Sequence, residues 1–130
     1  MPVVDASVLV EFLGGGRNSR TVDERLATEE HKLWAPHLID AEIGQALRRR
    51  VRQGRLNAEL ARTALSEINC LPIERVEHEL LIHVAWDLRD NLSFYDGLYV
   101  ALALMLDEPL LTFDARMARS GVDLPIEVLA

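Results

Sequence analysis

Four acids stand where a charge is disfavoured. Asp5 closes the β-branched run Pro2-Val3-Val4, and Asp114 stands just past the apolar segment Leu110-Leu111-Thr112. Asp96 opens a stretch, Leu98 to Leu106, that is apolar almost all round, and Glu42 flanks the stripe Ile39, Ile43, Ala46 and Leu47. Uncompensated burial costs a polar group roughly 2–7 kcal/mol and a charge more. Such acids must sit at a rim or be compensated together. Carboxylates brought close raise one another's pKa unless a cation lies among them. Hard oxygen donors select Mg2+ or Mn2+, held by a few carboxylates, water and substrate phosphates. A site of that kind supports in-line attack of metal-activated water on a phosphodiester. The four acids are therefore expected to converge on one crevice.

Each acid also has a purely structural use. Asp5 and Asp114 can cap the helices that follow them. Ser93-x-x-Asp96 fits a capping box, where the helix dipole favours a carboxylate by about 0.3–1 kcal/mol. Asp40 flanks the same stripe as Glu42 on its other side, so helical geometry alone does not choose between them. His78 and His83 are one residue too far apart for a His-Glu-x-x-His zinc pair on one helix face. Gly14-Gly15-Gly16 reads as a loop, since no Gly-Lys-Ser/Thr follows it.

The elements that must position the acids alternate. Strands are expected at Pro2-Val3-Val4-Asp5, Leu33-Trp34-Ala35, from Ile73, at 110–112 and at Ile126-Glu127-Val128. Helices are expected over Ala6 to Leu13, from Asn18 or Ser19 to about Thr28, and from Pro36 to about Gln53. Further helices follow over Asn57 to Asn69, Glu77 to Arg89, the stretch after Ser93, and briefly after Asp114. This order implies an α/β fold, a short and mostly parallel sheet covered by helices on both sides. Functional groups in such sheets gather outside the carboxyl ends of the strands, where Asp5 and Asp114 stand. Two helices separate successive strands between His37 and Asn69, so that block is expected to project.

At 130 residues the chain reads as one domain, residues 1–130, with a core of its own. Its net charge of −7 gives no general attraction for a polyanion; binding one needs a local basic patch or a metal. Cys70 is the only cysteine, which excludes an intrachain disulfide and fits a reducing, cytoplasmic setting. Asp5 and Glu11 interrupt the first apolar run, so it does not read as a signal peptide. No apolar run approaches the roughly 20 residues of a membrane helix.

Val4-Asp5-Ala6-Ser7, Glu42, Tyr95-Asp96-Gly97-Leu98-Tyr99-Val100-Ala101-Leu102-Ala103 and Leu110-Leu111-Thr112-Phe113-Asp114 together resemble a PIN domain, in order and with fitting gaps. The likeness is to the VapC class, the toxin ribonucleases of bacterial toxin–antitoxin pairs. It implies a three-layer α/β/α fold and a Mg2+-dependent (or Mn2+-dependent) endoribonuclease. It also implies a homodimer restrained by a VapB-type antitoxin, with transfer or ribosomal RNA as foremost substrates. Asp5 and Asp96 would be the principal metal ligands and catalytic groups, completed by Glu42 and Asp114. Ser7 and Thr112 would be supporting polar contacts. Gly97 stands where alanine is common in the family. A degenerate, purely binding module is the alternative, and the presence of all four acids counts against it. Haloacid-dehalogenase-type phosphatases expect Asp-x-Asp, whereas position 7 is Ser; receiver domains expect a late lysine, whereas the only lysine is Lys32.

The basic residues group in two places. Arg48, Arg49, Arg50, Arg52 and Arg55 end the third helix, where they match the dipole, touch RNA or dock an antitoxin. Arg116 and Arg119, just beyond Asp114, are placed to meet a substrate phosphate.

Overall fold

The computed structural model describes residues 1–14, 16–27 and 32–129. Thr28, the expected end of the second helix, and Gly15 lie outside the described residues. The strands are β1 (Val3–Val4), β2 (Leu33–Pro36), β3 (Ile73–Val76), β4 (Leu110–Thr112) and β5 (Ile126–Val128). The helices are α1 (Ala6–Leu13), α2 (Ser19–Leu26), α3 (Leu38–Arg52), α4 (Ala58–Ile68), α5 (Ile82–Asp87), α6 (Phe94–Leu106) and α7 (Ala115–Ala118).

The five strands form one all-parallel sheet in the order β3-β2-β1-β4-β5. The chain runs outward from β1 to β3, then crosses back to β4 and β5. Right-handed crossovers therefore place α1 to α4 on one face and α5 to α7 on the other. Contacts agree: α1 packs with α2, α3 and α4, while α5 packs on α6, which lies against β1, β2 and β4. The expected α/β/α architecture is what the chain adopts. The order reverses beside β1, whose neighbours are β2 and β4, so a crevice opens between the carboxyl ends of β1 and β4. Asp5 and Asp114 leave the sheet there, on the same edge, because the two strands are parallel and in register (Val3 with Leu110, Val4 with Leu111).

α6 is the central helix: Gly97 through Ala103 are all buried. It closes with Asp107 in the left-handed region at φ 52°. Gly97 serves a close approach, since a Cβ there would meet the Ala85 carbonyl at 3.2 Å. An alanine at this position would press on α5.

Two boundaries differ from expectation. Pro36 is the last residue of β2, not the first turn of α3. β1 is too short to pair with that end of β2, so the missing proline N–H leaves no ladder bond unmade. The expected helix over Glu77 to Arg89 is split into a 3-10 turn, His78–Leu80, and the short α5. Tertiary contacts account for the split. Leu81 at the joint is wholly buried, and His78 Nε2 accepts the Leu38 N–H at 2.8 Å, satisfying a free donor at the start of α3.

That bond gives a test of packing. His78→Ala leaves the Leu38 N–H without its partner and is expected to cost about 1–2 kcal/mol. The loss should appear as a lower urea midpoint with an unchanged m-value.

Candidate active site

Asp5 is the most deeply placed acid, 7% exposed. It caps α1 by accepting the Val8 N–H at 3.3 Å. The Ser7 hydroxyl donates to Oδ1 at 2.5 Å, and the Thr112 hydroxyl donates to Oδ2. Each hydroxyl oxygen in turn accepts a backbone N–H: Ser7 from Phe113 at 3.0 Å, Thr112 from Asp114 at 2.9 Å. An ionised carboxylate only accepts, so both hydroxyl protons must point at Asp5. Ser7 and Thr112 thus hold one carboxylate and the end of β4 together. Burial raises the Asp5 pKa from 3.8 to about 6; the Ser7, Thr112 and Val8 bonds oppose the rise, and the Asp96 charge adds to it.

Asp96 sits in the first turn of α6, its backbone N–H bonded to Ser93 Oγ at 3.1 Å. Burial raises its pKa, the Ser93 hydroxyl lowers it, the Asp114 charge raises it and Arg116 lowers it. Glu42, half-buried on α3, is raised by burial and by the Asp96 charge, and lowered by the Tyr99 hydroxyl. Asp96 is therefore the shared neighbour of the other three acids.

Asp40 does not belong here. Its carboxylate is gripped bidentately by Arg75 of β3, at 2.7 and 2.8 Å. The choice that helical geometry left open is thus made by a residue from another strand.

Asp114 caps α7 through the Arg116 N–H at 2.9 Å. The Arg116 guanidinium also grips it, with Nε to Oδ1 at 3.0 Å and Nη2 to Oδ2 at 2.7 Å. Arg116, aided by the Arg119 charge, holds the Asp114 carboxyl below its usual range. A recess of about 340 Å³ beside this pair is lined by Asn91, Ser93, Asp96, Asp114 and Arg116. Arg119 is exposed and its charge reaches Asp114.

Tyr99 lies in the apolar run of α6. It is buried, but its hydroxyl has no hydrogen bond of regular geometry among the described residues. Glu42 is its principal electrostatic partner and, with burial, drives its pKa far upward. The spacing to Asp96, one helical turn, was the available signal. Tyr95 is largely exposed.

The donor set fits a hard cation. Asp5, Glu42 and Asp96 are all harder to ionise than usual, each partly through a neighbouring acid, and a cation relieves that. Among the described residues no three acids, histidines or cysteines close onto one point. Such spacing suits an ion held by one or two carboxylates, water and substrate phosphate oxygens.

Comparison with known proteins places the chain in a family. A family model described as the PIN domain matches residues 3–122. The chain is 46% identical over 127 residues to Ribonuclease VapC1 of Mycobacterium tuberculosis, spanning 97% of this chain and 94% of that protein. It is 38% identical over 130 residues to Ribonuclease VapC9 of the same organism, spanning 99% and 98%. Among solved structures, PAE2754 from Pyrobaculum aerophilum superposes with a TM-score of 0.70 at 26% identity, covering 97% of this chain and 82% of that one. M. tuberculosis VapC20, described as a sarcin–ricin loop cleaving toxin, superposes over the full length of both chains with a TM-score of 0.77 at 17% identity. The chain belongs to the PIN-domain family. Within it, the chain is similar to the VapC proteins.

The raised Asp5 pKa sets a pH dependence. Asp5 ionises near 3.8 when unfolded and near 6 when folded. In chelator its stabilising contribution is complete below about pH 4 and is lost as pH rises through about 6. The loss is on the order of 2–3 kcal/mol. Asp96 and Glu42 act in the same direction, and Asp114, whose pKa is lowered, acts in the opposite one. Metal-free Asp5→Asn should lack this component, so its melting temperature should gain on the parent's between pH 4 and 7.

Proposed function

We propose that the protein is a divalent-metal-dependent endoribonuclease, the toxin of a toxin–antitoxin pair, which hydrolyses RNA phosphodiesters by attack of water. The observation that carries this reading is the meeting of Asp5, Glu42 and Asp114 around Asp96, beside the switch point of the sheet. Mg2+ is the cation that best suits an all-oxygen donor set spaced this widely, with Mn2+ as a substitute. A bound divalent cation supplies the Lewis acidity and the acidified water that phosphodiester hydrolysis needs.

The residues divide the remaining work. Asp5 and Asp96 would hold the cation, with Ser7 and Thr112 fixing the Asp5 carboxylate. Glu42, whose raised pKa makes it a readier base than a free carboxylate, takes up the proton that the attacking water sheds. Tyr99 keeps Glu42 oriented. Asp114 completes the acidic set while holding Arg116, whose exposed guanidinium meets the substrate phosphate. Water attack leaves a 5′-phosphate and a 3′-hydroxyl.

Two surfaces suit the expected partners. Between α3 and α4 an apolar groove is floored by Leu47, Val51 and Leu65 and edged by Arg48, Arg52 and Arg62, which fits an acidic, amphipathic segment of a VapB-type antitoxin. Leu80, Trp86, Phe94 and Tyr95 are exposed on the α5–α6 side and fit association with a second copy.

The test is incubation of purified protein with total cellular RNA and Mg2+ or Mn2+, followed by sequencing of the cut ends. Transfer and ribosomal RNA are the substrates to inspect first. Discrete cuts bearing 5′-phosphates, absent with chelator and absent for Asp5→Asn, are expected. Cuts indifferent to Asp5 would refute the reading.

The supporting hydroxyls give a finer check. Thr112→Val removes a donor to Asp5 and should weaken metal affinity about 10–100-fold, as loss of such outer partners does. Calorimetric titration with Mn2+ reads this directly.

A further inference from the structure

The basic cluster at the end of α3 is divided by the helix into two sets that face different grooves. Arg48 and Arg52 edge the apolar α3–α4 groove. Arg49 and Arg50, with Arg55 from the turn beyond, line a second groove of about 580 Å³ between α1 and α3. That second groove begins at Glu42 and at Ser7, the hydroxyl partner of Asp5. Glu42, Ser7 and Phe113 form one end, and Ala46, Arg49, Arg50 and Gln53 continue it along a single face of α3. The spacing from Glu42 to Ala46, Arg49, Arg50 and Gln53 repeats every three or four residues, as one helical face must.

Within the groove the arginines are not equivalent. Arg50 donates to Glu11 of α1 at 2.6 Å, and both side chains are mostly buried, so this pair is a neutralised wall joining two helices. Arg49 is exposed and has no ion-pair partner among the described residues. Arg55 is exposed too, and its guanidinium makes only a long contact, 3.4 Å, to Gln53. Two unneutralised cations therefore stand in a groove continuous with an acidic site, on a protein of net charge −7. Arg49 lies seven residues from Glu42, about 10 Å along the helix, or about three nucleotides at the rise of a stacked strand.

We propose that this groove carries the RNA strand away from the cleavage site, with Arg49 and Arg55 gripping backbone phosphates about three nucleotides from the bond that is cut. Arg48 and Arg52 take no part, because the helix turns them to the opposite groove. The proposal rests on the ribonuclease reading and adds to it the path of the strand. The contacts are to phosphates, so they set affinity and register without selecting bases.

The test uses Asp5→Asn protein, which binds without cutting, and a fluorescein-labelled single-stranded RNA of mixed sequence. Anisotropy is read between 25 and 200 mM salt. Each phosphate contact to a single strand contributes about 0.7 to the slope of log affinity against log salt. Adding Arg49→Gln and Arg55→Gln should flatten that slope by about 1.4. Adding Arg48→Gln and Arg52→Gln should leave it unchanged, and Arg49→Lys with Arg55→Lys should largely restore it. Equal flattening by both glutamine pairs, no flattening by the first, or no measurable RNA binding would overturn the proposal. Failure here alongside metal-dependent cutting by the parent removes the strand path alone. Flattening as expected, without cutting by the parent, would remove the ribonuclease reading instead.

Discussion

The Asp5 carboxylate, taken out of water at the meeting of β1, α1 and β4, is the interaction on which the rest of the site depends. It is the end of the central strand, the cap of the first helix and the acceptor for hydroxyls from both neighbouring segments. Those hydroxyls also receive the backbone donors of Phe113 and Asp114. The turn leaving β4 is thereby fixed relative to β1. A buried charge is tolerated because hydrogen bonds compensate it, and its remaining deficit is what a cation can relieve.

Two of the four candidate acids also perform a structural task with their carboxylate oxygens. Asp5 and Asp114 cap α1 and α7, and Asp96 sits one turn into α6 behind its Ser93 cap. The helix starts converge on one edge of the sheet because the strands feeding α1 and α7 are parallel neighbours and α6 lies across β1 and β4. Helix N-termini favour negative charge, so the fold offsets part of the repulsion it creates. A capping role and a metal-binding one are compatible at Asp5 and Asp114.

The α3 helix supplies the fourth acid and illustrates how one element can serve several surfaces. Its apolar stripe, Ile39, Ile43 and Leu47, enters the core. Glu42 turns toward Asp96 and Tyr99, Asp40 turns toward Arg75, and the arginines divide between two grooves. A basic end that complements the helix dipole is thus also partitioned by helical geometry into separate sets of charges.

Much of this was legible in the residues. A short β-branched strand ending in Asp5, an apolar helix behind Ser93-x-x-Asp96 and a short strand before Asp114 each follow from local patterning, and alternation of strand and helix implied a parallel sheet with its acids on the carboxyl edge. Local pattern could not choose Glu42 over Asp40, since both flank one stripe; Arg75, arriving from β3, made the choice. Nor could it show that Tyr99 faces Glu42, that Arg116 folds back on Asp114, or that His78 breaks a helix to satisfy the start of α3. Periodicity and capping are properties of neighbours along the chain, and what depends on them can be read from the residues in order. Which charges meet, and which are left unpaired, depends on segments tens of residues apart and emerges only when the fold brings them together.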